Sequence, residues 1–362
     1  GIAATNSPTM TVQSLSVRGN GADGIALSGT LRDVTIADNT VVTNTLGGIR
    51  IGGQATDTTI TGNQVYTNTD AGITLQNTSG TLLEGNQVRG NLVGLAVTDG
   101  VDTTVSSNIF ERNRQHGLVI TNTALLTVTM TRLSHNGGSG ALILASSQRV
   151  TIERTEVFSN TINGIQLGDG TAGSFPQRVQ ISSNRITGNG IPLDPDGNPI
   201  TPIPQGQGIV FAVEGPPESS SNPNHDIDPP IDLALTSSGQ LTGRVDVTSG
   251  APQACLPANQ CRIQVFRANP ITRDGQGWEP ISSDVAVSAS GHFTASLSSI
   301  PTQLVVTATD GNGNTSRFAP FTASASLDIG PARSATAAPG EVITYTHRVT
   351  NTGNLALTNL QL

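Results

Sequence analysis

Along residues 1–213 the apolar positions fall in short alternating runs. A Gly followed by an apolar, any, apolar triplet recurs at Gly1, Gly24, Gly48, Gly72, Gly94, Gly117, Gly140, Gly164 and Gly208, in steps of 22 to 24 residues with one final step of 44. Each unit closes on an asparagine: Asn20, Asn44, Asn68, Asn91, Asn113, Asn136, Asn160 and Asn189. Three positions before that Asn stands an aliphatic residue or Phe110, and eight before it stands Val12, Ile36, Ile60, Leu83, Val105, Val128, Ile152 or Ile181. Period-two alternation predicts strands with one buried face. Three short strands joined by turns in each unit make one coil of a parallel β-helix, and nine coils stacked about 4.8 Å apart make a rod of roughly 40 Å.

A second ladder lies five residues before the first, at Asn39, Asn63, Asn86, Asn108 and Asn184, with Thr131 and Thr155 substituting. Asn tolerates left-handed backbone conformations, and stacked amides can bond coil to coil. The repeat length also fits a leucine-rich array. The strands here are β-branched and no segment has helix-forming composition, which argues against that reading. Units such as Gly48-Ile49-Arg50-Ile51 through Thr59-Ile60-Thr61-Gly62-Asn63-Gln64-Val65 resemble the pectate-lyase-like right-handed parallel β-helix repeats of secreted bacterial proteins. That family holds polysaccharide lyases and hydrolases as well as surface proteins without catalysis.

Composition narrows the function classes. Charged residues are 12% and aromatics 3% of 362 residues, and all 18 basic side chains are Arg. A net charge of −8 argues against nucleic acid or an anionic membrane surface as partner. The apolar runs are far shorter than the ~20 residues of a membrane span. Absent lysine excludes Schiff-base chemistry, a P-loop and Lys–Asn isopeptide joints. No signal peptide is visible, which reads as a processed or cut chain.

Candidate chemistry is sparse. Asp33 and Asp57 share a column and Asp102 recurs two coils later, at a position where Asp commonly closes a turn. Arg112, Arg114, His116, Arg132, His135, Arg149 and Arg154 form a cationic stretch that can hold an acidic glycan. Glu111, Glu153 and Glu156 interrupt it and stacking aromatics look nearly absent, so a solvated face is the favoured reading. Asp194, Asp196 and Asn198 invite calcium but fail the EF-hand spacing, and the same slight case attaches to His225, Asp226 and Asp228. No catalytic residue and no cofactor is assigned, calcium being the one cofactor left open.

The repeat stops before a Pro-rich linker or cap at residues 214–230. Residues 231–325 carry short alternating segments, predicted as strands at 241–247, 261–267, 283–288, 292–297 and 304–309, which suggest an immunoglobulin-like β-sandwich. Leu304 to Ser316 resembles the closing hairpin of bacterial Ig-like modules. Cys255 and Cys261 flank a short loop and are expected to form a disulfide in a secreted chain. Residues 326–362 resemble the start of the conserved repeat domain of bacterial surface proteins and read as a partial third β-module, incomplete or strand-donating. The expectation is therefore an all-β chain, a right-handed parallel β-helix of about nine coils followed by two β-modules. It is expected outside the cell or on its surface, as a non-catalytic surface or filament component that self-associates head-to-tail by strand addition. The alternative is a carbohydrate-active or glycan-binding β-helix protein.

Overall fold

The computed structural model describes residues 1–170, 175–191, 206–212, 222–236, 238–249, 254–269, 276–282, 284–324, 327–329 and 348–353. The described residues up to 212 form a parallel β-solenoid with three faces. The first face stacks nine strands, from Ile2–Thr5 to Ile209–Phe211; the second runs from Met10–Gln13 to Gln177–Ser182; the third stacks eight strands from Ser16–Arg18 to Arg185–Thr187. Pairing is in step, so that Ile25 lies beside Ile49, Ile60 beside Leu83 and Val65 beside Val88. Residues that repeat in sequence therefore stack in space. Ile49, Ile51, Ile60, Val65, Ile73 and Leu75 are fully enclosed, each contributing about 1.5–3 kcal/mol of transfer free energy.

The repeat glycines are required by close approach, not by backbone angle. A Cβ on Gly48 would stand 2.3 Å from Val65 Cγ1, 2.5 Å from the Gly72 carbonyl oxygen and 2.9 Å from Asn68 Nδ2. The three sequence signatures (Gly, the aliphatic or Phe residue and the closing Asn) thus meet at one contact at Gly24, Gly48, Gly72, Gly94, Gly140 and Gly164. The Asn amides run along this seam. Asn68 N and Nδ2 both donate to Asn91 Oδ1, at 2.9 and 3.0 Å, while Asn91 N donates to Asn113 Oδ1 at 3.1 Å and Asn91 Nδ2 donates to the Val65 carbonyl at 3.0 Å. In the second ladder Asn63 N donates to Asn86 Oδ1 at 3.0 Å, and where Thr replaces Asn the bond from Asn108 N to Thr131 Oγ1 stretches to 3.4 Å. The left-handed backbone expected of the asparagines belongs instead to the residue before each of them. Asp38, Thr43, Ser107, Arg112, His135 and Ser159 have φ between 53° and 56°. That residue turns the chain so that the following Asn points inward.

The solenoid ends against the segment that follows it. The turn Pro223–Asp226 lies under the last coil, where Asn224 Oδ1 accepts from Val179 N and Asn224 Nδ2 donates to Val179 O, both at 2.8 Å. Side chains from the next module do the same: Asn314 Oδ1 accepts from Arg178 N at 2.7 Å, Thr315 Oγ1 from Ile181 N at 2.9 Å, Gln264 Oε1 from Ser183 N at 3.0 Å and Gln276 Oε1 from Asn189 N at 2.9 Å. Amide and hydroxyl oxygens here stand in for the carbonyls of a further coil, so the terminal N–H groups are satisfied without one. Asp310 holds this cap in shape by accepting from Asn312 N and Asn314 N, each at 2.8 Å.

The capping module is built from two antiparallel sheets. One orders Ile231–Leu235, Gln240–Arg244 and His292–Ser296; the other orders Gly277–Pro280, Arg262–Ala268, Gln303–Thr309 and Ala319–Thr322, with Val285–Ala286 paired to Arg262–Ala268. Three of these strands, Ile231–Leu235, Gly277–Pro280 and Ala319–Thr322, escape the sequence pattern because they are short or follow turn-rich segments. Leu235, Leu241, Ile263, Val265, Ala295, Leu304 and Val306 fill the space between the sheets, and Cys255 and Cys261 are disulfide-bonded. Of residues 326–362, Leu327–Ile329 pairs antiparallel with Val349–Asn351.

Two measurements test this account. Asn91→Ala leaves the buried Asn68 N without a partner and Asn68 Nδ2 with only the Val41 carbonyl, and its expected cost is about 2–4 kcal/mol in chemical denaturation; Asn20→Ala, at the half-buried first rung, costs about 1 kcal/mol or less. Equal costs would show that the ladder does not carry the stacking. Separately, burial holds the pKa of His116 below the ordinary 6.5, and its Nδ1 accepts from Ser139 N at 3.0 Å. The folded state then binds this proton less readily than the unfolded state, so its stability is complete above pH 6.5 and falls as pH drops through the lower folded-state pKa. Melting temperature should decline on mild acidification, and His116→Gln should flatten that decline.

Candidate functional site

The structure disperses most of the residues that sequence grouped together. Asp33, Asp57 and Asp102 all adopt left-handed backbone, at φ of 50°, 54° and 55°. Their column continues through Gly80, Leu125, Arg149 and Arg178, also at positive φ, which identifies a turn position that any side chain can occupy. Arg149 therefore leaves the cationic stretch. Arg154 pairs with its neighbour Glu153, and Arg114 is turned onto the carbonyls of Asn68 and Thr69. Asp226 pairs with Arg317 at 3.8 Å. Asp194, Asp196 and Asn198 lie outside the described residues, and among the described residues no three His, Cys, Asp or Glu side chains are grouped to hold a metal ion.

What the structure brings together is the third face. In each three-residue strand the middle side chain is buried and the outer two point away from the core, as in Gln64-Val65-Tyr66 and Glu156-Val157-Phe158. Register then sets Tyr66 beside Arg89 and Gln87 beside Gln64. Arg89 lies over the Tyr66 ring at 4.2 Å, and the Tyr66 hydroxyl donates to Gln87 Oε1 at 3.2 Å. Further along, Arg132 pairs with Glu111 at 2.7 Å and Arg185 with Glu156 at 3.5 Å. Both guanidinium groups also approach the Phe158 ring, at 5.8 and 5.9 Å, and His135 meets its edge at 5.4 Å. Beyond the last coil, Trp278 of the capping module stands 5.9 Å from Arg185 and is 44% exposed.

Two features of this arrangement are not visible in the sequence. Aromatic side chains are few, yet Tyr66, Phe158 and Trp278 share one side of the molecule because in-step stacking aligns residues separated by roughly a hundred positions in the chain. The third-face strands also carry Arg18, Arg89, Arg132 and Arg185 against Glu111 and Glu156, a positive balance on a chain of net charge −8. Exposed ion pairs of this kind contribute little to stability, about 0–1 kcal/mol each.

His135 adds a titratable group. Partial burial and the charges of Arg112 and Arg132 lower its pKa, against the opposing pull of Glu111. Its imidazole is accordingly neutral near pH 7 and able to accept a proton. Aromatic platforms, paired guanidinium groups and a neutral imidazole are the groups needed to seat a sugar ring, hold a carboxylate and take up a proton nearby.

Comparison with known proteins supports the fold. The family model described as a right handed beta helix region matches residues 1–146. No curated protein sequence matches the chain. Among solved structures, the A-module of a mannuronan C-5 epimerase from Azotobacter vinelandii matches with TM-score 0.43 and 19% identity over 50% of this chain and 53% of that one. The enzymatically active domain of bacteriophage CBA120 tailspike protein 2 matches with TM-score 0.44 and 12% identity over 89% of this chain and 59% of that one. A pectate lyase matches with TM-score 0.36 and 15% identity over 59% and 66%. The chain thus spans about half the length of the epimerase module. These comparisons correct the expectation of a non-catalytic surface or filament component, since the matched proteins are carbohydrate enzymes. The last coil of the solenoid is covered by Asn224, Gln264, Gln276, Asn314 and Thr315. The parallel β-helix repeat itself is supported by the family model over residues 1–146.

Proposed function

We propose that this is a carbohydrate-active β-helix protein whose third face takes an acidic polysaccharide lengthwise. The observation that carries the reading is the alignment of Tyr66, Phe158 and Trp278 with Arg89, Arg132 and Arg185 on one positively balanced side. A pyranose presents an apolar C–H face that stacks on an aromatic ring, while a uronate carboxylate matches the planar fork of an arginine. Strand spacing of about 4.8 Å is close to the length of one sugar residue, so a polymer laid along the axis meets equivalent positions repeatedly. With a carboxylate held by Arg132 or Arg185, neutral His135 is placed to accept a proton from the adjoining carbon, the step that begins elimination or epimerisation.

The remaining modules fit this setting. We take residues 231–325 as an immunoglobulin-like sandwich and residues 326–362 as the beginning of a further β-repeat. The Cys255–Cys261 disulfide supports a working place outside the cytoplasm. Among the described residues, no helix is long and apolar enough to cross a membrane.

Retention on immobilised polygalacturonate or alginate should exceed retention on neutral dextran and weaken as salt rises. Arg132→Gln and Tyr66→Ala should each reduce affinity about three- to tenfold with unchanged melting temperature. His135→Ala should abolish any formation of unsaturated or epimerised product while leaving binding intact. Equal retention on acidic and neutral polymers would overturn the proposal.

A further inference from the structure

The third face does not stop at the last coil. Strand Gly277–Pro280 of the capping module packs beside Arg185–Thr187, the final strand of that face. Two side-chain contacts fix the junction. Gln276 takes the place of the next ladder residue, accepting from Asn189 N and Nδ2 at 2.9 and 3.1 Å and donating Nε2 to Asn189 O at 2.8 Å. Asn269 Nδ2 donates to Thr187 Oγ1 at 2.6 Å. The amide ladder thereby positions Trp278, two residues beyond Gln276, at the end of the arginine and aromatic row.

At this junction Arg185 lies between two rings, 5.9 Å from Phe158 of the solenoid and 5.9 Å from Trp278 of the capping module. Trp278 also lines an open cleft of about 200 Å³ together with Arg267, Ala268, Pro301, Thr302 and Gln303. Arg267 is oriented there by Glu279 at 3.3 Å and by Ser299 Oγ at 3.0 Å. An exposed indole flanked by two guanidinium groups, beside a small cleft with both apolar and polar walls, is suited to one charged ring rather than to a larger apolar ligand.

We infer that the junction is a sugar subsite built by both modules: a uronate ring of an acidic polysaccharide stacks on Trp278 with its carboxylate between Arg185 and Arg267. The inference rests on the proposed function above and extends it, because it makes recognition depend on chain length. Short oligouronates are satisfied on the solenoid alone, whereas longer ones reach across the junction. The capping module is then part of the ligand-contact surface as well as the end of the rod.

Trp278 is the single tryptophan of the chain, so its fluorescence reports this position alone. The test titrates the full protein with a size series of oligogalacturonates and oligomannuronates, reading tryptophan fluorescence and, in parallel, calorimetric affinity. The inference expects a saturable fluorescence change that appears only with the longer oligomers. Trp278→Ala or Arg267→Gln should each cost about tenfold in affinity for those oligomers, and Arg267→Gln should leave the short ones unaffected, with unchanged melting temperature. Calorimetric binding with silent fluorescence and an unaffected Trp278→Ala variant would overturn the junction subsite while leaving the third-face reading standing. An equal response to neutral oligosaccharides would overturn the charge recognition assigned to the two arginines. Absence of binding to every acidic oligomer in either measurement would overturn both readings together.

Discussion

Every part of this molecule depends on one contact, the passage of a repeat glycine beneath the aliphatic side chain and closing asparagine of its coil. The approach is close enough that a methyl group would collide with side chain and backbone at once. It lets successive coils settle at strand spacing, where the Asn amide receives two donors from one neighbour and its backbone donates to the next. The amides enclosed there would be costly if unpaired, so the ladder stabilises the stack mainly by making any shift of register expensive. A core of Ile, Leu and Val supplies non-directional attraction, and the amide seam supplies alignment.

That alignment makes the outer surface predictable. Once the interior is held in step, each outward position becomes a straight row along the rod, and unrelated residues inserted in different coils become neighbours. The third face is one such case: Tyr66 and Arg89 meet because their coils are adjacent, and Arg132, Glu156, Phe158 and Arg185 meet for the same reason. Its aromatic rings and guanidinium groups sit where stacking requires no particular side chain, which leaves them free to serve a ligand.

The solenoid was legible in the sequence because its pattern is repeated eight or nine times, and each repetition constrains the same contact. The site was not legible, because Tyr66, Phe158 and Trp278 each occur once and carry no period. Grouping by proximity in the chain misled as well. Arg112, Arg114 and His116 are near neighbours in sequence, but a turn separates them, sending Arg114 to backbone carbonyls and His116 to the amide of Ser139. The cap was invisible for a related reason: Asn224, Gln264, Gln276, Asn314 and Thr315 look like ordinary polar residues of loops and strands until the exposed N–H groups they meet are known.

The substitution of side-chain oxygens for a missing coil has a consequence for how such a rod can change in length. The cap bonds backbone N–H and C=O groups of the last coil, its terminal Asn and the side chains of Gln177, Ser183 and Thr187. A whole coil can be duplicated or deleted inside the array without altering either the surface the cap meets or the register of what remains. A gain or loss of a few residues is accommodated in the turns, where the steps already range from 22 to 24 residues with one of 44, but not within a strand, where it would displace the glycine from beneath its asparagine. Length in this architecture is therefore quantised, and a ligand track laid along the outside is lengthened or shortened in the same units.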